Sequence, residues 1–471
     1  MFRKPDIKIT FSFFIILLFS LQAIAQEKSP LLTGKVTISI KEGTFDCDLT
    51  LSDIPRIEDY VIRLNSGMNI LHFKSKKPND FVLAYEKSTV DSTSTGESLA
   101  YYFPKNKKEK FLPQSVQLKY TGKFPIAKDT IENYTKDDWR GNIAFNYNSL
   151  RAEGNQGAWY PILFDMAKDK KYEEVRYDIE FTCSDCSTLY VNGNPPVKAK
   201  NYRFKSDVPY ELAVFLGNYD YSNIANTYIL NPQLTQEQIK QFSEMINTYK
   251  NYYAENLETP FGGPVTFVET TPTSRDNGWL FVSYPTIMNI GWGDNGLKSL
   301  FDPKTQNWFK PFIAHELAHY YFGTYKQFNS ELGGIISEGF SEFLSLKVAK
   351  DILGKEVYDK KIKDKLKNIK DFTPMPLSTI KTKPSDDDYI EYAYESTPIL
   401  LAAIEKEIGE KQMWKWMDAL LKTPTVFTNY SFLISTLKAS LKDDKKFEYL
   451  KIRYFEDKKH IEHAIQTLEQ K

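Results

Sequence analysis

The hydrophobic pattern of this chain changes period partway along, and that change orders its architecture before any single residue is considered. Through residues 31–217 apolar and polar side chains alternate, as in Val36, Ile38 and Ile40, in Phe45, Cys47, Leu49 and Leu51, and in Val116, Leu118 and Tyr120. Alternation of this kind turns one face of each strand toward a core, and Gly, Asn and Pro between the runs supply turns. The pattern predicts an antiparallel β-sandwich. Residues 87–99, rich in Ser and Thr, and residues 104–110 read as loops, and Asn192-Gly193-Asn194-Pro195 as a turn. Beyond these the period becomes helical: Thr235 with Gln238 forms a capping box, followed by Ile239, Phe242, Ile246, Tyr249 and Tyr253 on one face. Strand-like Val265 and Phe267 and the run 279–284 come next, and helical signals then continue to the C-terminus. The fold expected is β first, then mixed α+β, divided into residues 26–219 and 220–471.

The N-terminus carries Arg3, Lys4 and Lys8, an apolar run from Phe11 to Leu21, then Ala23-Ile24-Ala25. That is the layout of a secretory signal peptide cleaved after Ala25, which predicts export to the periplasm or the medium. The run is shorter than the roughly 20 residues a membrane-spanning helix needs, and no later stretch approaches that length, so no stable membrane span is expected after cleavage. No Cys follows the run to carry a lipid. Lys plus Arg equal Asp plus Glu at 61 each, which gives no support to nucleic acid as a partner. The remaining cysteines are Cys47, Cys183 and Cys186. Val175, Tyr177, Ile179 and Phe181 alternate like a strand before the Cys-x-x-Cys pair, whereas a redox motif would need a helix start and a zinc knuckle two more ligands. A local disulfide or free thiols remain as its reading.

The chemistry concentrates at His315-Glu316-Leu317-Ala318-His319, the H-E-x-x-H pattern. Two imidazoles four residues apart leave one helix face in the same direction and can share a metal ion. Pro311 fits a first helical turn there and Gly323 a C-terminal end. Glu338 follows His319 after 18 intervening residues, enough for a second helix to return antiparallel and supply a third ligand. Two His and one Glu suit a single zinc ion and leave a coordination position for water, although cobalt and manganese accept similar ligands. Glu316, beside the ligands but not one of them, is the base that would deprotonate a water attacking a carbonyl carbon. Glu342, one turn after Glu338, is either a partner for an imidazole N–H or a solvated helix residue. His72, in a strand-like run, and His460 and His463, on a charged C-terminal helix, are read as structural or surface residues.

At these residues the chain resembles the gluzincin aminopeptidases that include the membrane alanyl aminopeptidases. Besides His315 to His319, Tyr321-Phe322-Gly323 and Glu338-Gly339-Phe340 fall in that family's pattern. Pro209-Tyr210-x-Leu212-Ala213-x-Phe215-x-Gly217 resembles the close of its N-terminal sandwich, and Tyr394-Glu395-Ser396-Thr397 the segment that bears its catalytic Tyr. The resemblance implies a thermolysin-like, mostly helical catalytic domain behind the sandwich, a peptide substrate, and Tyr394 as donor to the oxyanion, with Tyr389 and Tyr392 as neighbouring alternatives. Two departures stand out. Where the family places a Gly-x-Met-Glu-Asn segment gripping the substrate ammonium, this chain has Ser274-Arg275-Asp276-Asn277-Gly278-Trp279, leaving Asp276 as the candidate substrate-binding carboxylate. The family's large C-terminal helical domain has no room before residue 471. An aminopeptidase is therefore the first expectation, and the alternatives are a metalloendopeptidase with an open cleft or a catalytically silent zinc-bearing peptide-binding module.

Overall fold

The computed structural model describes residues 29–75, 84–86, 97–103, 111–126, 141–270, 279–290, 296–369 and 372–470. Residues 1–25, read above as a signal peptide, most of the Ser/Thr-rich stretch, residues 104–110 and Asp276 lie outside them.

The alternating runs form sheets. A six-stranded sheet runs Asn201–Glu211, Glu174–Cys183, Leu31–Ser39, Thr44–Ser52, Val116–Lys123, Met68–Ser75. The residues that alternate in Glu174–Cys183, namely Val175, Tyr177, Ile179, Phe181 and Cys183, are all buried. The sheet is antiparallel except where Leu31–Ser39 pairs parallel to Glu174–Cys183. A five-stranded sheet and a four-stranded sheet complete the β domain. One stretch read as loop is otherwise at its end, because Ser98–Tyr102 is a strand of the five-stranded sheet. Cys183 and Cys186 are joined by a disulfide at the end of their strand, and Cys47 is free and buried.

Helical periodicity takes over where the sequence changes. Helix α1 (Gln236–Asn256) starts at a capping box in which Thr235 Oγ1 accepts from Gln238 N at 3.2 Å and Gln238 Oε1 accepts from Thr235 N at 2.9 Å. Two donors that would otherwise lack partners are thereby satisfied, a contribution of about 1 kcal/mol. Its apolar stripe packs on a mixed five-stranded sheet, Phe242 meeting Phe267 edge to face at 4.6 Å. The remaining elements are mainly helices: α2 (Gln306–Ala318), α3 (Gly333–Val348) and α4 (Lys355–Asn368) build the site described below. Among the described residues no helix is long and apolar enough to cross a membrane.

Two local expectations about α2 need correction. The helix begins at Gln306, so Pro311 lies in its second turn, where the missing N–H leaves the Asn307 carbonyl without its helical donor. Gly323 does not end the helix either. It stops at Ala318 with His319 as its cap, and the π-type turn that follows, Tyr320–Tyr325, is kinked at Phe322 before the chain becomes extended at Lys326.

Each half has its own large core, and a small third cluster joins them through Tyr190, Phe215 and Tyr219 of the sandwich with Leu230, Val268 and Met288 of the mixed sheet. The turn at Asn192 adds polar contacts across the same junction. Its Nδ2 donates to Ser283 O at 2.8 Å and Tyr284 O at 2.9 Å, and to Glu211 O at 2.9 Å on its own side. Thr286 Oγ1 donates to Asn192 Oδ1 at 2.6 Å. Because the Asn192 side chain is buried, these bonds satisfy groups whose desolvation would otherwise be unfavourable.

Candidate metal centre

Helices α2 and α3 pack side by side, and the four-residue spacing of His315 and His319 turns both imidazoles toward α3. Tyr253 of α1 fixes the height of α2 by donating its hydroxyl to Ala314 O at 2.8 Å, one residue before the first imidazole. His315 Nε2 and His319 Nε2 lie 3.1 Å apart, and Glu338 Oε2 is 3.2 Å from the first and 3.1 Å from the second. A tetrahedral ion with bonds of 2.0–2.1 Å has ligand atoms about 3.3 Å apart, so this triangle needs little opening to hold zinc. His315, His319 and Glu338 thus form a donor set that could hold a metal ion. The other candidate triad, Cys183, Asp185 and Cys186, has its sulfurs committed to the disulfide.

The unused face of each ligand is braced from α3. His315 Nδ1 is 3.0 Å from Glu342 Oε2, and His319 Nδ1 is 3.2 Å from Ser341 Oγ. Such acceptors fix the tautomer that leaves Nε2 free for a metal. Glu342 is itself clamped from α4, its Oε1 lying 2.8 Å from Lys365 Nζ and 3.3 Å from Lys361 Nζ. Burial alone would raise its pKa, but these two ammoniums and the His315 bond hold it well below the usual range. The Glu338 carboxyl is also held down, by His319 and His315 against its own burial. Conversely, burial lowers His315, and the bonds to Glu338 and Glu342 overcome it and raise the group to about 10.

Glu316 is 6% exposed and lines the cleft beside the triangle, and burial raises its pKa from the ordinary carboxyl value. A carboxylate shifted upward in this way is a stronger base near neutral pH. Tyr394 sits on a π-helical turn, Glu391–Ser396, and its ring stacks on His315 at 5.7 Å. Burial, then the Glu338 charge, keeps its hydroxyl protonated well above its usual range, as an oxyanion donor requires. Gly339 permits this approach, because a Cβ there would fall on Thr397 Cγ2, just after the turn. Lys365 also donates to Tyr394 O at 2.6 Å, so one buried ammonium supports both the His315 brace and the Tyr394 turn. Of the two neighbouring tyrosines Tyr392 is engaged elsewhere, whereas Tyr389 stays at the site, its ring 6.4 Å from that of Tyr394 and its hydroxyl pKa raised by burial and by the Glu338 charge. Tyr392 OH accepts from Met375 N at 2.7 Å, and Tyr389 packs against Gly334.

The cleft in front of these groups has a volume of about 700 Å³, and its second wall comes from the sandwich. There Glu173, Glu174 and Glu211 face the same space as His315, Glu316 and Tyr394. Burial, followed by Glu173, raises Glu174 to about 8 and Glu211 to about 7. Glu153, behind them and 1% exposed, is raised well above its usual range by burial and by Glu211. The sequence reading missed this wall, along with Ser341, Lys361 and Lys365. Ser341 carried a signal, being one turn beyond Glu338 on the same helical face; the others carried none that separates them from solvated residues. Asp276 lies outside the described residues.

No protein-family model matches the chain, and no curated protein matches it in sequence. Solved structures match it in fold. Yeast LTA4 hydrolase superposes with a TM-score of 0.61 at 13% identity, over 91% of this chain and 67% of that one. An M1 zinc metallopeptidase from Deinococcus radiodurans gives 0.59 at 13% identity, over 90% and 92%. A mutant of the latter bound to a Tyr-Ser-Ala substrate gives 0.57 at 13% identity, over the same shares. The architecture, a β-sheet N-terminal domain followed by a largely helical region, is thus that of the M1 zinc metallopeptidases.

Proposed function

We propose that the chain is an exported zinc-dependent peptidase that removes residues from the N-terminus of peptides. The observation that carries the hydrolytic part is the convergence of His315, His319 and Glu338 with buried Glu316 and Tyr394 in one cleft. Zinc, when bound by the three ligands, supplies Lewis-acid polarisation of the scissile carbonyl and acidifies water. Glu316 takes the proton from the attacking water and delivers it to the departing amine, so it ends the cycle as it began. Tyr394 donates its O–H to the oxygen that gains negative charge. Glu342 and Ser341 hold the imidazoles in the orientation the metal requires.

The N-terminal specificity rests on the opposite wall. Glu173, Glu174 and Glu211 crowd one wall of the cleft, with Lys170 as a partial counter-charge to Glu174, and a substrate ammonium placed among them would stabilise their ionised forms. They offer an amine anchor in addition to Asp276. The M1 fold and the substrate-bound Deinococcus structure agree with peptide as the substrate class. Export rests on the arrangement of residues 1–25 alone.

The test is to measure the metal content of the chain from Gln26 onward and digest matched peptides with free or acetylated N-termini, reading cleavage sites by mass spectrometry. One zinc per chain and loss of single N-terminal residues from the free peptide alone are expected. Internal cuts in both peptides would make the enzyme an endopeptidase, and stoichiometric zinc without cleavage of any peptide would reduce it to a binding module.

A further inference from the structure

Helix α4 supplies no side chain to the donor set of His315, His319 and Glu338, yet one of its lysines reaches the supports of two different groups in the cleft. Lys365 is buried, and its Nζ lies 2.8 Å from Glu342 Oε1 and donates to Tyr394 O at 2.6 Å. Glu395 Oε2 stands at 3.7 Å. An ammonium has three N–H donors, and taking it out of water is strongly unfavourable unless oxygens meet them. The oxygens that do so belong to α3 and to the Tyr394 turn. The charge is therefore satisfied only while these two elements keep their present separation.

Lys361, one turn earlier on α4, makes the comparison. Its Nζ is 3.3 Å from the same Glu342 oxygen, and its side chain is 21% exposed against 9% for Lys365. Both ammoniums hold the Glu342 carboxyl ionised against its burial, so on that side Lys361 duplicates what Lys365 does. The bond to the Tyr394 carbonyl belongs to Lys365. Asn368 adds a second hold on the same turn, its Nδ2 donating to Glu395 Oε1 at 3.1 Å, so α4 fixes two consecutive residues there. The turn itself is π-helical, with Thr397 N bonded to Tyr392 O five residues back, and its backbone path sets where the Tyr394 ring meets His315.

We propose that Lys365 is a positioning residue that sets the oxyanion donor and the metal ligands in register: through Glu342 it orients His315, and through the Tyr394 carbonyl it places the Tyr394 hydroxyl. This rests on the reading of the cleft as a peptidase site and adds to it one residue, away from the substrate, through which metal retention and transition-state stabilisation are coupled. The placement matters because a donor must stand about 3 Å from the developing oxyanion, and a shift of about 1 Å costs up to about 100-fold in rate. Loss of Lys365 damages both functions, whereas loss of Lys361 falls mainly on the metal.

The test compares Lys365→Met with Lys361→Met, alone and combined with Glu342→Gln or Tyr394→Phe. Zinc affinity is read by competition with a chelating dye, kcat on a free peptide at saturating zinc, and oxyanion binding by calorimetry of the zinc-loaded protein with a phosphinic dipeptide analogue. Lys365→Met should lose about 10-fold in zinc affinity, about 10-fold to 100-fold in kcat with KM within about twofold, and about 10-fold in phosphinate affinity. Lys361→Met should share the zinc loss, with at least a several-fold smaller loss in the other two. The kcat loss from Lys365→Met should vanish in the Tyr394→Phe background, and its zinc loss in the Glu342→Gln background. Equal losses from the two lysines in all three readings, or additive losses in both backgrounds, would overturn the role. If Lys365→Met does not fold, Lys365→Gln, which keeps an amide donor without the charge, should retain more of kcat than of zinc affinity, and the opposite order would count against the proposal. The expected binding losses with no peptide cut by wild type would sink the hydrolytic reading and leave Lys365 as a positioning residue, whereas cleavage and binding indifferent to Lys365→Met would do the reverse.

Discussion

The two walls of the cleft are charged in opposite ways for opposite reasons. On the helical wall the carboxylates that hold and brace the metal site have designated partners: Glu342 has Lys361, Lys365 and His315, and Glu338 has both imidazoles. On the sandwich wall Glu153, Glu173, Glu174 and Glu211 crowd one another, and burial and mutual repulsion raise three of them. A wall whose charges are balanced internally keeps its geometry without a ligand, which suits a site that must orient a metal and a base. A wall with unmet charge gains most when an oppositely charged group arrives, which suits recognition. In the proposed reaction the chemistry and the specificity are thus carried by different domains.

That division can be broken most severely at the base. Glu316→Gln should lower kcat by about 10³-fold or more while metal content, read by atomic emission, stays at one ion per chain; loss of the ion along with activity would mean that Glu316 serves the metal instead. Tyr394→Phe should lower kcat by about 10²-fold with little change in KM, in steady-state assays on a free peptide. A rise in KM alone would assign Tyr394 to substrate binding. Glu342→Gln, which keeps the shape but weakens the brace, should cut metal affinity by about 10-fold to 100-fold in competition with a chelating dye. A fall in melting temperature without a change in affinity would leave Glu342 a purely structural residue.

The smallest effect belongs to the sandwich wall and separates it from the other. Glu174 and Glu211 have folded-state pKa values raised to about 8 and about 7, above their ordinary value of 4.5. Between those limits the folded chain binds more protons than the unfolded one, so stability is highest below about pH 4.5 as far as these groups are concerned and declines as pH rises to about 8. The melting temperature should fall by several degrees across that window in a pH series, and Glu174→Gln/Glu211→Gln should flatten the slope. A slope unaffected by the double variant would place the titrating groups elsewhere.

The same contrast explains what was legible in the sequence. His315, Glu316, His319 and Glu338 are close in sequence and lie on two adjacent helices, so spacing alone orders them. Glu342 could be suspected from its place one turn later, but Lys361 and Lys365 lie on a helix whose many lysines read as a solvated face. Glu174 and Glu211 were illegible for a different reason. They occupy ends of strands, where a polar side chain ordinarily meets water, and only the packing of the helical half over the sandwich turns that edge into a cleft wall. Pro311 and Gly323 were misplaced because helix punctuation was read from the motif outward, whereas α2 begins a turn earlier, at Gln306, and stops within the motif, at Ala318.

Asn192 gives this two-walled design a ruler. Its single amide holds the carbonyl of Glu211 on one side and the carbonyls of Ser283 and Tyr284 on the other, and both Glu211 and Tyr284 border the cleft. The spacing of the two walls at this edge is therefore measured out by one planar group of fixed size. In the proposed peptidase, altering that group would change which peptides are admitted before it changed how any admitted peptide is cut.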